Sequence, residues 1–357
     1  MKILIPILGF GPQGGYRVLS KLADAWLDLG HEVTFLVPST SPPPYFPTRA
    51  PIVAANRKGL VGKRIISGAA GRERNGADNI LSVYAGLKAI GTDFDVILAN
   101  HCLTAWPLRL ARCGAALKVY YIQAYEPAYY SIRTDPIKHL LARFSYHLGL
   151  KHISNSKMYP IAPGEQGIRF IPPGVDVDVF HSERGRQPLI GSHPIYLGTI
   201  GRTEPYKGTA SVLSAFETLH RFDERFRLKV AFGNLPPDWS HPAVEIVDIK
   251  NDDELADFYR SLDILLVGAV GQTGAPHYPV IEGMACRTPV LHTGYFPGNS
   301  ENSWLAEPGD PQALVDGVLE ILADETVEAK TTMGLNFVRD NLSWPALASS
   351  MSTYFQD

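Results

Sequence analysis

Apolar residues follow two alternating patterns along this chain. Short runs of consecutive apolar residues, each suited to one buried strand, alternate with stretches in which apolar residues recur at helical spacing. Residues 2–8 form the first run. After a Gly-rich turn, Val18, Leu19, Leu22, Trp26 and Leu29 recur every three or four positions until Gly30 supplies a stop. Residues 32–37 read as the second strand, with further runs at 95–99, 118–123, 152–155 and 168–171. A second series begins near Ile195. Its strands are expected at 195–200, 228–232, 244–247, 263–267 and 289–292, and its helices at 209–220, 252–261, 278–286 and 311–322.

Strands alternating with helices in this way predict an α/β fold with parallel sheets covered by helices. A polar stretch containing Pro and Gly at 180–193 separates the two series and suits a hinge. The expected division is residues 1–182 and 183–341, each a Rossmann-like domain, with a final helix at 342–357 returning to the first. Open parallel sheets bind ligands beyond the carboxyl ends of their strands, so the expected active site lies in a cleft between two facing sheets. Residues 38–76, rich in Pro, Gly, Ser and Arg, depart from the pattern. They read either as a long excursion carrying binding residues or as a disordered crossover.

The length of 357 residues is enough for two domains, and 45% hydrophobic with 19% charged residues is the mix of a folded protein with sizeable cores. A net charge of −3 gives no reason to expect nucleic acid as the main partner. Cys102, Cys113 and Cys286 lack the spacing of a zinc site or disulfide framework and read as reduced, buried thiols. No segment approaches the roughly 20 apolar residues of a membrane span. The opening apolar run stops at Gly9, too short for a secretory signal core, so the expected location is the cytoplasm.

Three loops carry the candidate chemistry. The turn Gly9-Phe10-Gly11-Pro12-Gln13-Gly14-Gly15 follows a strand and opens a helix, where free N–H groups can receive an anion. It is not an orderly dinucleotide fingerprint, and no acidic residue closes the second strand. A phosphate or sugar contact and a purely structural turn both fit. In Gly198-Thr199-Ile200-Gly201-Arg202-Thr203-Glu204-Pro205-Tyr206-Lys207-Gly208, a strand ends at Gly201 and two cations follow. Arg202 and Lys207 could offset the negative charge that grows on a departing diphosphate, or could be solvated loop cations. The third loop, Gly271-Gln272-Thr273-Gly274-Ala275-Pro276-His277-Tyr278-Pro279, leads into a helix carrying Glu282. A buried carboxylate needs a hydrogen-bonding partner; a ribose or an internal salt bridge would each provide one.

Taken together, Gly201-Arg202 through Lys207-Gly208 and Pro279-Val280-Ile281-Glu282-Gly283-Met284-Ala285-Cys286-Arg287-Thr288-Pro289-Val290 resemble family 4 of the retaining glycosyltransferases. Ile153-Ser154-Asn155-Ser156 and Ile171-Pro172-Pro173-Gly174-Val175-Asp176 resemble that family's landmarks before the interdomain crossing. The resemblance implies the GT-B fold, a nucleotide-sugar donor held mainly by the C-terminal domain, and transfer with retention. Arg202 and Lys207 would then bind the diphosphate, and Glu282 the ribose. Where the family usually has a second glutamate, this chain has Gly274. Without that acid, sugar hydroxyls would be met by the amides of Ala275, His277 and Tyr278, or by His277 itself.

Tyr120-Tyr121-Ile122-Gln123-Ala124-Tyr125-Glu126-Pro127 is similar to a segment in a subgroup containing rhamnosyltransferases and other cell-surface polysaccharide transferases. Glu126 is the candidate acceptor-side base. His101, after a strand, could bond a sugar or serve structurally. Asp176-Val177-Asp178 invites a metal reading, but it falls in the interdomain landmark, and side-chain cations already offset the diphosphate. No metal or cofactor is expected.

Lys138, His139, Arg143, His147, Lys151 and His152 are interleaved with Ile137, Leu140, Leu141, Phe144 and Leu148. Such a helix could rest on an anionic membrane near a lipid-linked acceptor, and packing on its own sheet accounts for the same apolar residues. The expected partners are thus a nucleotide-sugar donor, a glycan, lipid-linked or small-molecule acceptor, and peripherally the membrane. A nucleotide-sugar epimerase and a degenerate sugar-nucleotide-binding protein are the alternatives.

Overall fold

The computed structural model describes residues 1–63, 76–161, 167–182, 193–271 and 274–357. Most of the expected hinge, residues 183–192, lies outside that set, as do Gln272 and Thr273 of the third loop. The chain forms two compact units: Met1–Gly174 with Trp344–Asp357, and Val175–Ser343.

In the first unit the strands are β1 (Lys2–Pro6), β2 (Glu32–Pro38), β3 (Ile52–Ala55), β4 (Val61–Lys63), β5 (Val96–Ala99), β6 (Leu117–Ile122), β7 (Lys151–Ser154) and β8 (Ile168–Phe170). They lie in the order β4-β3-β2-β1-β5-β6-β7-β8. All pairings are parallel except β3 with β4. Two of these strands fall where the composition suggested an excursion. Residues 52–55 and 61–63 extend the sheet instead, because Ile52, Val53 and Val61 supply the apolar surface that an edge pair needs.

The helices of this unit are α1 (Gly14–Asp28), α2 (Gly76–Ile90), α3 (Cys102–Leu110), α4 (Pro136–Ser145) and the C-terminal helix Trp344–Gln356. Both faces of the sheet are covered. Ile3 and Ile5 pack with α1 and with Trp344, Leu347 and Met351, while Leu4 packs with Val83 and Leu87 of α2 and Leu108 of α3. This in-and-out alternation along one strand, apolar on both sides, marks a doubly wound sheet. The C-terminal helix is fixed to α1, with Trp26 Nε1 donating to the Ala348 carbonyl at 3.1 Å.

The second unit holds β9 (Ile195–Ile200), β10 (Phe226–Ala231), β11 (Val244–Val247), β12 (Ile264–Val267), β13 (Val290–His292) and β14 (Trp304–Leu305). Their order is β11-β10-β9-β12-β13-β14, parallel throughout. Its helices are α5 (Thr209–Phe222), α6 (Asp252–Arg260), α7 (Tyr278–Ala285), α8 (Pro311–Ala323) and α9 (Val327–Leu342). Ile264 and Leu266 face α5 and α8; Leu265 and Val267 face α6, α7 and α9. Among the described residues no helix is long and apolar enough to cross a membrane.

Candidate functional site

In the second sheet the strand order reverses direction between β9 and β12. Their connections leave toward opposite sides and open a crevice at the carboxyl ends of the two strands. A cavity of about 270 Å³ lies there, lined by residues including Thr199, Arg202, Glu204, Lys207, His277 and Tyr278.

Close backbone packing fixes the first wall. A Cβ on Gly201 would lie 1.6 Å from the Gly233 carbonyl oxygen, and one on Gly208 would lie 1.9 Å from the Gly268 carbonyl oxygen. Gly208 also has a φ of +75°, which favours glycine. Between these glycines the loop is held by Thr209. Its hydroxyl donates to the Arg202 carbonyl at 2.8 Å and accepts from the Arg202 amide at 3.0 Å. Beneath Arg202, Phe232, Gly233 and Asn234 are three consecutive residues with positive φ. Such backbone costs about 1–3 kcal/mol per non-glycine residue and concentrates at functional sites. Here it sets the Phe232 ring 5.9 Å from the Arg202 guanidinium and directs the Asn234 amide to the Gly201 carbonyl at 3.1 Å.

Two cations thus line one small cavity. Burial and the neighbouring Arg202 charge hold the Lys207 ammonium below its ordinary pKa, while Glu204 opposes that shift. Among the described residues neither cation forms an ion pair within 4 Å of a carboxylate. Such a pair is poised for an anion from outside.

The opposite wall is the entry to α7. Gly274 has a φ of +84°, and its amide donates to the Gly294 carbonyl at 2.6 Å. A glutamate at this position would be strained. The Ala275 carbonyl accepts from the Phe296 amide at 3.1 Å, and Ala275 does not line the cavity, whereas His277 and Tyr278 do. His277 precedes the first turn of α7, and its carbonyl accepts from Val280 and Ile281. The His277 ring packs 4.6 Å from that of Tyr295. Burial first, then Lys207 and Arg202, push its pKa down to about 3. Its Nδ1 is buried without a hydrogen-bond partner among the described residues. An unpartnered N–H costs more than an unpartnered lone pair, so the proton of the neutral ring belongs on Nε2.

Glu282 sits one turn into α7 and is 6% exposed. The Tyr259 hydroxyl donates to Glu282 Oε2 at 2.9 Å. Behind this wall His292 is fully buried. Its Nδ1 accepts from the amides of Gly294 and Tyr295, and Nε2 lies 3.0 Å from the Ser303 hydroxyl.

In the first unit Gly14 and Gly15 open α1, with no side-chain cap on the helix. Among the described residues a Cβ on Gly14 would meet nothing within 4 Å, whereas one on Gly15 would touch Gln123 at 3.4 Å. A separate cavity of about 230 Å³ adjoins this turn, lined by Gly9, Gly11, Gln13, Tyr16 and neighbours. His101 and Glu126 meet, with His101 Nε2 3.6 Å from Glu126 Oε2. Glu126 is 2% exposed, and its oxygens accept from the Cys102 amide and the Tyr120 hydroxyl, both at 2.7 Å. That burial places Glu126 behind His101, which caps α3 through Nδ1 and whose side chain is 30% exposed. The donor atoms of His101, Cys102 and Glu126 lie within 4.8 Å of one another. Burial and the Glu126 charge push the Cys102 thiol far above its ordinary range.

Residues 194–324 match the family model described as glycosyl transferases group 1. The matched segment falls inside the second unit, Val175–Ser343. No curated protein matches the chain. Among solved structures, HepE of Anabaena in complex with UDP is similar at 15% identity, a TM-score of 0.69 and full coverage of both chains. Sucrose-phosphate synthase from Thermosynechococcus elongatus gives 17% identity and a TM-score of 0.64, covering 100% of this chain and 98% of the other. WaaG, a glycosyltransferase of lipopolysaccharide biosynthesis, gives 14% and 0.60 with 99% coverage of each. At these identities the likeness speaks for the fold, and that fold is GT-B.

Within the second unit, the sequence pointed to Gly201, Arg202, Lys207, His277, Tyr278 and Glu282; Arg202, Lys207, His277 and Tyr278 line the cavity, Gly201 directly precedes Arg202, and Glu282 lies one turn into α7. Phe232, Asn234 and Tyr259 were missed. Phe232-Gly233-Asn234 directly after a strand is a usable turn signal. Tyr259, in the amphipathic helix α6, carries no signal apart from its fold.

Proposed function

We propose that this chain is a retaining glycosyltransferase that moves a sugar from a nucleoside diphosphate onto a glycan, lipid-linked or small-molecule acceptor without a metal ion. The observation that carries this reading is the paired Arg202 and Lys207 in the switch-point cavity, facing a neutral His277. When the anomeric C–O bond breaks, its electron pair passes to the diphosphate oxygen. Two fixed cations in a partly desolvated crevice stabilise that charge as it forms. His277, protonated at Nε2, donates a hydrogen bond to a phosphate or sugar oxygen, and the Tyr278 amide at the start of α7 adds a second donor. Glu282, oriented by Tyr259, takes the ribose hydroxyls. UDP is the first nucleotide to try, since HepE of the same fold was solved with it.

In the first unit, His101 contacts the reacting sugar or acceptor hydroxyl and Glu126 holds its ring. The amides of Gly14 and Gly15 meet the donor from that unit. The positive charge that develops on the sugar ring is quenched by the acceptor hydroxyl oxygen on the face the diphosphate leaves, its proton passing to the departing diphosphate oxygen, which retains configuration. The reaction belongs in the cytoplasm, in assembly of a cell-surface polysaccharide. The test is turnover of a UDP-sugar by Arg202→Ala, expected to fall by roughly 10²-fold or more. Near-wild-type turnover would remove Arg202 from the site, and interconversion of the sugar without acceptor would indicate an epimerase.

A further inference from the structure

Helix α4 is attached to the first unit by one face alone. Ala142 and Ser145 are fully buried, and Trp106 Nε1 donates to the Leu141 carbonyl at 2.9 Å. Of its apolar residues, however, Ile137, Leu140 and Phe144 point away from that attachment and are 72%, 45% and 53% exposed. Their spacing of three and four residues puts them on one side of the helix. The preceding loop adds Tyr129 and Ile132, also largely exposed. Packing on its own sheet therefore does not account for this apolar face.

Its charge is equally distinctive. Between residues 129 and 148, Arg133, Lys138 and Arg143 are exposed against one carboxylate, Asp135, which pairs with Lys138 at 3.0 Å. The chain as a whole carries −3, so the local excess of cations is not a general property of its surface. Protein interfaces are depleted of Lys at their apolar centres. Bulky apolar side chains interleaved with cations on one exposed face instead match the boundary between anionic headgroups and acyl chains.

We propose that α4 and the loop before it form a docking surface for an anionic lipid bilayer. Ile132, Ile137, Leu140 and Phe144 enter the headgroup–acyl boundary, and Arg133, Lys138 and Arg143 pair with lipid phosphates. The loop also adjoins the His101–Glu126 pair: His139 Nδ1 lies 2.9 Å from the Tyr130 carbonyl oxygen and 3.2 Å from that of Pro127, the residue after Glu126. The surface itself does not depend on the transferase reading.

The test is sedimentation of the full chain with phosphatidylcholine vesicles and with equimolar phosphatidylcholine–phosphatidylglycerol vesicles. The protein is expected to pellet with the second and not the first, and to be released by high salt. Replacing Arg133, Lys138 and Arg143 with Gln lowers the partition constant on the order of 10²-fold. The triple variant Ile137→Ser, Leu140→Ser, Phe144→Ser abolishes pelleting. All these side chains are exposed, so both variants keep the wild-type melting temperature and the same response to UDP, which separates this proposal from the donor site. Absence of pelleting, or equal pelleting with both vesicle types, would overturn it. So would a wild-type dimer that the serine variant converts to monomer, since the face would then join two copies of the chain.

Discussion

Gly201→Ala probes the donor wall where it is packed most tightly. The added Cβ would start 1.6 Å from the Gly233 carbonyl oxygen, and real Cβ atoms essentially never come within 3.0 Å, so that carbonyl must withdraw by about 1.4 Å. Gly233 stands between two non-glycine residues that already have positive φ, which leaves little room for a compensating rotation. Loss of the Asn234–Gly201 hydrogen bond costs about 1 kcal/mol and overpacking about 1–3, roughly 2–4 kcal/mol together. For a domain of this size, each kcal/mol lowers Tm by about 2–4 °C, so a fall of about 5–15 °C is expected. Arg202 is the next residue, and a displacement near 1 Å costs about 10²-fold in turnover. Thermal denaturation and turnover of a UDP-sugar measure both effects. Gly76→Ala is the control, because among the described residues its Cβ meets nothing within 4 Å and alanine is favoured in a helix by up to about 1 kcal/mol. If Gly201→Ala melts as the wild type does and turns over normally, the close approach is not what positions Arg202.

Two further outcomes follow from the α7 wall. Glu282→Gln is expected to weaken UDP binding about tenfold while leaving inorganic pyrophosphate binding unchanged, as befits a ribose contact; equal loss for both ligands in calorimetry would place Glu282 at the diphosphate instead. The second concerns acid. His277 and His292 are held down to about 3 and about 4, chiefly by burial. A depressed folded-state pKa means that the unfolded chain binds more protons below the ordinary value of about 6.5, so stability is complete above that pH and is lost as pH falls toward 4. His277→Gln removes one of the two rings and should flatten that slope by up to about 1.4 kcal/mol per pH unit. An unaltered slope would show that His277 titrates near its ordinary value.

Sequence made the sheets legible because β1, β9 and β12 are continuous apolar runs that no other element explains as well. It made Gly201 and Gly208 legible because a glycine after a strand and another before a helix mark close backbone approach. The edge strands at 52–55 and 61–63 were hidden, since three or four residues among prolines and glycines give no periodicity to read. Contacts made across the fold were hidden too. Nothing near Glu282 in sequence names Tyr259, and nothing near Glu126 announces that Tyr120 and the Cys102 amide occupy its oxygens. The direction of α4 was ambiguous because helical spacing shows that a face is apolar, not which side is covered.

The central claim, a metal-free diphosphate site at the switch point of the second sheet, is tested most directly by thermal unfolding with UDP in the presence of EDTA. At 100 times Kd, binding adds about 2.7 kcal/mol, or about 5–11 °C in Tm for a domain of this size. The account predicts that shift in the wild type, undiminished by EDTA, and its loss in the double variant Arg202→Ala, Lys207→Ala. A shift that requires magnesium, or one that survives removal of both cations, would contradict it.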